Sequence, residues 1–137
     1  MGKMKATATN VGPTIMSAEV RGHRYFADLP EEMGGYDSAA LPPEILCAAL
    51  ANCVGMVIAI TCMEEDIPCV GMTVEVEAEE DEARKQLDNF SLTVRMPEAL
   101  SDQQLEAVKR APEESRVRGT IMHGASLNVM VTCPACD

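Results

Sequence analysis

At 137 residues the chain is the size of one ordinary domain and can enclose a core of its own, which argues against two domains. Eleven basic residues against 22 acidic ones give a formal charge of -11. A phosphate backbone or an anionic lipid surface would repel such a chain at long range, so neither nucleic acid nor a membrane is an expected partner. Two Tyr, two Phe and no Trp beside ten Met leave little to stack on bases or sugars and point to a soft, adaptable core.

The opening segment, MGKMKATATNVGPTIM, lacks the apolar run of a secretory signal. The expected compartment is therefore a reducing cytoplasm, where six cysteines read as thiols rather than staples. Lys5 to Asn10 alternates, Thr14 to Arg21 mixes apolar and polar residues, and Arg24 to Asp28 resumes after a turn at Arg21-Gly22-His23. The pattern predicts a small antiparallel meander. The loop from Leu29 to Pro43, with Pro30, Gly34, Gly35, Asp37, Pro42 and Pro43, is long enough to need a purpose.

From Pro42 to Met63, PPEILCAALANCVGMVIAITCM, the chain has no charge between Glu44 and Glu64 and carries Cys47, Cys53 and Cys62. Pro42-Pro43-Glu44 is a helix-opening signal, and the residues beyond it are apolar all the way round a helix. Such a helix must be enclosed by protein or by lipid. The 19 residues from Ile45 to Met63 reach membrane-spanning length. However, the acidic flanks Glu44, Glu64, Glu65 and Asp66, and the lack of a nearby Lys or Arg to set an orientation, favour a buried core helix.

After Asp66-Ile67-Pro68, the stretch Val70 to Glu79 puts Val70, Met72, Val74 and Val76 on one face. Phe90 to Met96 alternates likewise, so the two strands should pair as a hairpin across the charged connection Asp81 to Asp88. Ser101-Asp102-Gln103-Gln104 has the form of a capping box opening a second helix, with Leu105 and Val108 on its apolar face and Pro112 limiting it. Val117 to Met122 and Ser126 to Thr132 read as two more short strands before Cys133-Pro134-Ala135-Cys136-Asp137. The order of elements is that of an α+β fold.

The run Asp28 to Cys53, DLPEEMGGYDSAALPPEILCAALANC, resembles the OsmC/Ohr family of thiol peroxidases. The likeness rests on Gly34-Gly35, on Pro42-Pro43-Glu44-Ile45-Leu46, on the small-residue run Ala48-Ala49-Leu50-Ala51, and on Cys53. The order of elements agrees over nearly the whole chain. The resemblance implies a single OsmC-like domain over residues 1–137, in which antiparallel sheets surround a long buried central helix and a second helix, in an intertwined homodimer. It implies a peroxidatic cysteine matching Cys53 that reduces organic or hydrogen peroxides in a stress response. A thiolate attacks the peroxide, becomes a sulfenic acid and condenses with a second thiol, and no cofactor is needed.

In the family an arginine of the N-terminal strands and a glutamate ahead of the helix activate the thiol. The matching residues here are Arg21 or Arg24, and Glu44, although the peroxidase branch carries its glutamate one place earlier, where this chain has Pro43. The family's resolving cysteine falls where this chain has Ser115, in Glu114-Ser115-Arg116-Val117. A serine cannot form the disulfide. An external thiol or dithiol, Cys69, or the Cys133 and Cys136 pair as a redox tail would then have to resolve Cys53.

Helix geometry adds a constraint independent of the family. Glu44 and Cys53 are nine residues apart, on opposite faces and about 13 Å apart along a helix axis. If they share a site, one must come from a second subunit. Cys47 and Cys62 lie about 9 and 13 Å from Cys53 along the same axis, too far for a disulfide. Both read more simply as small core residues, Arg21 and Arg24 as solvated strand residues, and Cys-Pro-Ala-Cys as a surface tail. Zinc is not expected, since no second Cys-x-x-Cys or paired His completes a ligand set. Two functions remain: a cytoplasmic thiol peroxidase working through Cys53, and a non-catalytic OsmC-like dimer that binds a small hydrophobic ligand at its interface.

Overall fold

The computed structural model describes residues 2–135. Three short strands, β1 (Thr7–Asn10), β2 (Met16–Val20) and β3 (His23–Ala27), form an antiparallel sheet in that order. Thr7 pairs with Glu19 and Asn10 with Met16, while Met16 pairs with Ala27 and Val20 with His23. The β2 to β3 turn is Arg21-Gly22, with φ of 51° and 84°, the two positive values that a tight two-residue hairpin demands.

A long helix, α1 (Pro42–Glu65), follows, then the two-stranded sheet of β4 (Thr73–Asp81) and β5 (Gln86–Arg95), and then α2 (Asp102–Arg110) and α3 (Arg116–His123). This is the expected α+β class. The chain gathers into two compact units, one running up to Ala51 together with Glu75–Thr93, the other made of Asn52–Val74 and the chain from Val94 onward.

In the first unit the long loop after β3 is built around one carboxylate. Asp28 is 2% exposed and accepts five hydrogen bonds: from the Thr14 hydroxyl, from the backbone N–H of Leu29, Tyr36 and Ser38, and from the Ser38 hydroxyl. The bond from Thr14 does most to hold this carboxyl far below the usual carboxylate range, with the Ser38 and Leu29 donors adding to it and outweighing the opposing effect of burial. The two glycines of the loop differ in purpose. Gly34 sits at φ 92° and closes the 3-10 turn Glu31–Met33 with its N–H on the Glu31 carbonyl. A Cβ on Gly35 would stand 2.0 Å from the Leu29 carbonyl oxygen, so no larger residue fits.

The covered stripe of α1 recurs every fourth residue, at Leu50, Val54, Ile58 and Cys62, none more than 2% exposed. Burial of each aliphatic member stabilises by roughly 1.5–3 kcal/mol. The opposite side is not enclosed by the described residues: Met56 is 65%, Ile60 54% and Met63 81% exposed. The sequence expectation of a fully enclosed helix is thus unmet within one copy. By length and composition α1 is apolar enough to cross a membrane.

The helix ends in a left-handed cap. Asp66 has φ 55°, the N–H of Ile67 reaches the Cys62 carbonyl at 2.8 Å, and Ile67 is buried before Pro68 stops the helix.

Three sequence expectations are corrected. Val117 to Met122 is not a strand but most of α3, because the Ser115 hydroxyl caps it by accepting the Arg118 N–H at 3.1 Å. Ser126 to Thr132 has no regular structure and is exposed throughout. Val70 lies in a turn ahead of β4 and is 98% exposed rather than facing inward. In β5 the alternation also shifts, since Leu87 and Phe90 are both half-buried on either side of Asn89 at φ 50°. The capping box of α2 forms as expected, with Ser101 and Gln104 exchanging backbone-to-side-chain bonds at 2.9 and 3.1 Å. Val108 is buried and Leu105 half-exposed.

Candidate active site

The second unit brings Cys53, Ser115, Arg116 and Val117 together. Cys53 lies in the middle of α1 and is half-buried. Opposite it stands the first turn of α3, whose N-terminal amides have no partner inside their own helix. Burial alone pushes the Cys53 thiol up. Hydrogen bonds from the Ser115 side chain and from the backbone of Val117 and Arg116, together with the positive charge of Arg116, more than offset it, so the net shift is downward. A cysteine at a helix N-terminus beside a cation is in the surroundings that favour ionisation of its thiol.

Ser115 serves both sides of this contact. Its side chain is 2% exposed overall, and its oxygen accepts the Arg118 N–H. A hydroxyl has one hydrogen and two lone pairs, so the hydrogen stays available for the Cys53 sulfur. The position that the sequence marks only as a missing thiol therefore holds a helix cap and a thiolate donor in one residue.

Arg21, Arg24, Glu44 and Cys47, also singled out from sequence, lie in the first unit, and Cys62, Cys69 and Cys133 in the second. Arg21 occupies the tight turn after β2, and Arg24 pairs with Glu19 at 3.1 Å with both side chains more than half exposed. Such an exposed pair contributes under about 1 kcal/mol. Both arginines line an open groove of about 700 Å³ with Lys3 and Lys5. Glu44 accepts the Leu41 N–H at 2.8 Å, capping the start of α1, and lines a cleft of about 510 Å³ with Cys47 and Asp37. Cys47, Cys53, Cys62 and Cys69 are free thiols. Cys133 is disulfide-bonded and so is not the free thiol that the sequence reading expects. Cys136 lies outside the described residues.

Sequence reasoning missed two contributors, Arg116 and the α3 amides. It read Val117 to Met122 as a strand, and a strand offers no helix terminus. The available signal was Ser115 followed by Val117 and Ile121 at helical spacing.

The fold is α+β, with a half-buried cysteine on a long helix. The profile of the family described as OsmC-like protein matches residues 35–130, and the chain belongs to that family. Solved structures agree on the fold. A protein of Psychrobacter arcticus, assigned to osmotic stress induced and detoxification response proteins, superposes with a TM-score of 0.79 at 20% identity, covering 88% of this chain and 89% of its own. An OsmC-like protein of Mycoplasma pneumoniae gives 0.72 at 15% identity, covering 90% and 89%. An organic hydroperoxide resistance protein of Elizabethkingia anophelis gives 0.60 at 19% identity, covering 90% of each chain. No curated protein matches the chain.

Proposed function

We propose that this protein is a thiol-dependent hydroperoxide reductase whose attacking residue is Cys53. The observation that carries the reading is the meeting of Cys53 with Ser115 and the first amides of α3. The Cys53 thiolate attacks the distal peroxide oxygen, the O–O bond breaks, and the alcohol leaves with a proton as Cys53 becomes a sulfenic acid. An external thiol then attacks that sulfur, releasing water and leaving a mixed disulfide, and a second thiol frees Cys53. Ser115 cannot condense with the sulfenic acid, so the reductant supplies both thiols. Family membership and the hydroperoxide resistance proteins among the structural neighbours support peroxide as the substrate class.

The working form is a homodimer. A second copy would cover Met56, Ile60 and Met63, and the same interface is where Arg21, Arg24 and Glu44 of one copy would serve Cys53 of the other. A reducing cytoplasm would supply the thiols.

Hydroperoxide consumption with a dithiol reductant tests the proposal. The wild type should turn over and Cys53→Ser should not, while Ser115→Cys should form a Cys53-linked disulfide and change the order in which thiols are consumed. Equal, negligible rates in wild type and Cys53→Ser would favour the non-catalytic dimer, whose exposed α1 stripe would then hold a hydrophobic ligand at its interface.

A further inference from the structure

The outer face of the N-terminal sheet gathers cations for which the chain supplies no counter-charge. In the strand register Thr7 stands beside Glu19 and Glu19 beside Arg24, with Thr9 beside Ser17. Alternation puts these residues on the face opposite the buried Ala18 and Ala27. The short Thr7, Thr9 and Ser17 leave room there for the open groove of about 700 Å³ that Lys3, Lys5, Arg21 and Arg24 also line. Arg24 is paired with Glu19 at 3.1 Å. Among the described residues Lys3, Lys5 and Arg21 have no carboxylate partner, although acids outnumber bases two to one in the chain. With the groove's four cations and one carboxylate set aside, seven basic and 21 acidic residues remain, so a groove of net charge +3 belongs to a chain that is otherwise at -14. Arg21 adds an independent sign. It opens the β2 to β3 turn at φ 51°, a left-handed position that Gly, Asn or Asp fills with less strain, and such strain is kept where the side chain has a use.

We propose that this groove binds a small polyvalent oxyanion, a phosphate or carboxylate compound whose charge of about three or more matches the cations around it. The guanidinium fork fits the paired oxygens of either group, the lysines supply point charges, and the Ser and Thr hydroxyls donate to the remaining oxygens. The size of the ligand follows from the charge distribution. A small ion held wholly in the groove is governed by the cations within a screening length of about 8 Å. A nucleic acid or an acidic protein would extend beyond the groove onto the acidic remainder of the chain and be repelled. Arg21 and Arg24 are also the residues proposed to serve Cys53 of a second copy, whereas Lys3 and Lys5 belong to the groove alone. The site does not rest on that reaction, since its lining comes from the first unit and Cys53 from the second.

Calorimetric titration of the untagged, reduced full chain with tripolyphosphate and, separately, with citrate tests the proposal. The expected result is saturable binding at one site per chain: of tripolyphosphate alone if the ligand bears phosphate, of citrate alone if it bears carboxylates, of both if charge suffices. Raising the salt from about 0.01 to 0.15 M should weaken it. Lys3→Ala combined with Lys5→Ala should weaken it by at least about tenfold, since two of the facing charges are gone. Both lysines are exposed, so folding is not at stake in that variant. Lys3→Arg with Lys5→Arg should restore binding, and Lys109→Ala with Arg110→Ala, which removes the same charge from α2, should leave it in place. Cys53→Ser should bind the probe as the wild type does while losing turnover, which separates failure of the site from failure of the proposed reaction. Absence of saturable binding for both probes overturns the proposal. So does unchanged affinity in the Lys3 and Lys5 variant, or an equal loss in the Lys109 and Arg110 variant.

Discussion

The chemistry of Cys53 depends on what Ser115 donates as much as on what it lacks. A hydrogen bond to a charged group favours its charged form. Ser115→Ala should therefore move the Cys53 thiolate midpoint up, read by ultraviolet thiolate absorbance or by the pH dependence of alkylation. The sign follows from the folded state favouring the thiolate. Reactivity appears at a lower pH than for an ordinary cysteine and reaches its plateau there, and the stability gained from ionisation is lost as pH falls through the lowered midpoint. An unchanged midpoint in Ser115→Ala would remove the serine from the account. Cys53 itself was legible, since the Gly34-Gly35, Pro42-Pro43-Glu44 and small-residue signals lead straight to it. Arg116 was not, because nothing local marks which charge a folded chain will bring to a thiol.

Among the elements, the loop after β3 shows how one residue can gather several others. Hydrogen bonds led by Thr14 hold the Asp28 carboxyl below its usual range. Its contribution to stability is accordingly in place above the ordinary carboxylate pKa of 3.8 and is lost as pH falls below that. Asp28→Asn should unfold at lower temperature near neutral pH, and its unfolding midpoint should fall less steeply than the wild type's under acid. Parallel acid profiles would contradict this.

The sequence reading saw that this loop needed a purpose but did not find Asp28, whose partners are scattered from Thr14 to Ser38 and meet only on folding. The opposite error came at α3. Val117, Thr120 and Ile121 are β-branched and read as a strand, yet the Ser115 cap and the helical spacing of Val117 and Ile121 prevail. For β4 and β5 the alternation sufficed, apart from Val70 and Leu92, which are exposed, and the shift at Asn89.

For the molecule as a whole, the unresolved demand is the uncovered side of α1. An apolar helix with Met56, Ile60 and Met63 facing water carries a continuous hydrophobic surface of the kind that marks an interaction site. If a second copy covers it, sedimentation should show a dimer in the wild type, and Ile60→Glu should shift the equilibrium toward monomer by at least tenfold, since burying an unpaired carboxylate costs more than the roughly 1.4 kcal/mol that a tenfold change represents. A monomeric wild type with full activity would contradict both the dimer and the assignment of Arg21, Arg24 and Glu44 to a shared site. The sequence announced this surface through its uniform apolarity. What it could not convey is which stripe the chain covers for itself, because that depends on how the remaining elements pack against Leu50, Val54, Ile58 and Cys62.

The proposed reaction rests on Cys53 being the sulfur that meets peroxide. Mixing the reduced protein with one equivalent of organic hydroperoxide in the presence of dimedone, followed by peptide mass spectrometry, reads that event directly. Dimedone labelling should fall first on Cys53, well ahead of Cys47 and Cys69, and should slow in Ser115→Ala. Labelling that spares Cys53 while the peroxide is consumed would contradict the account.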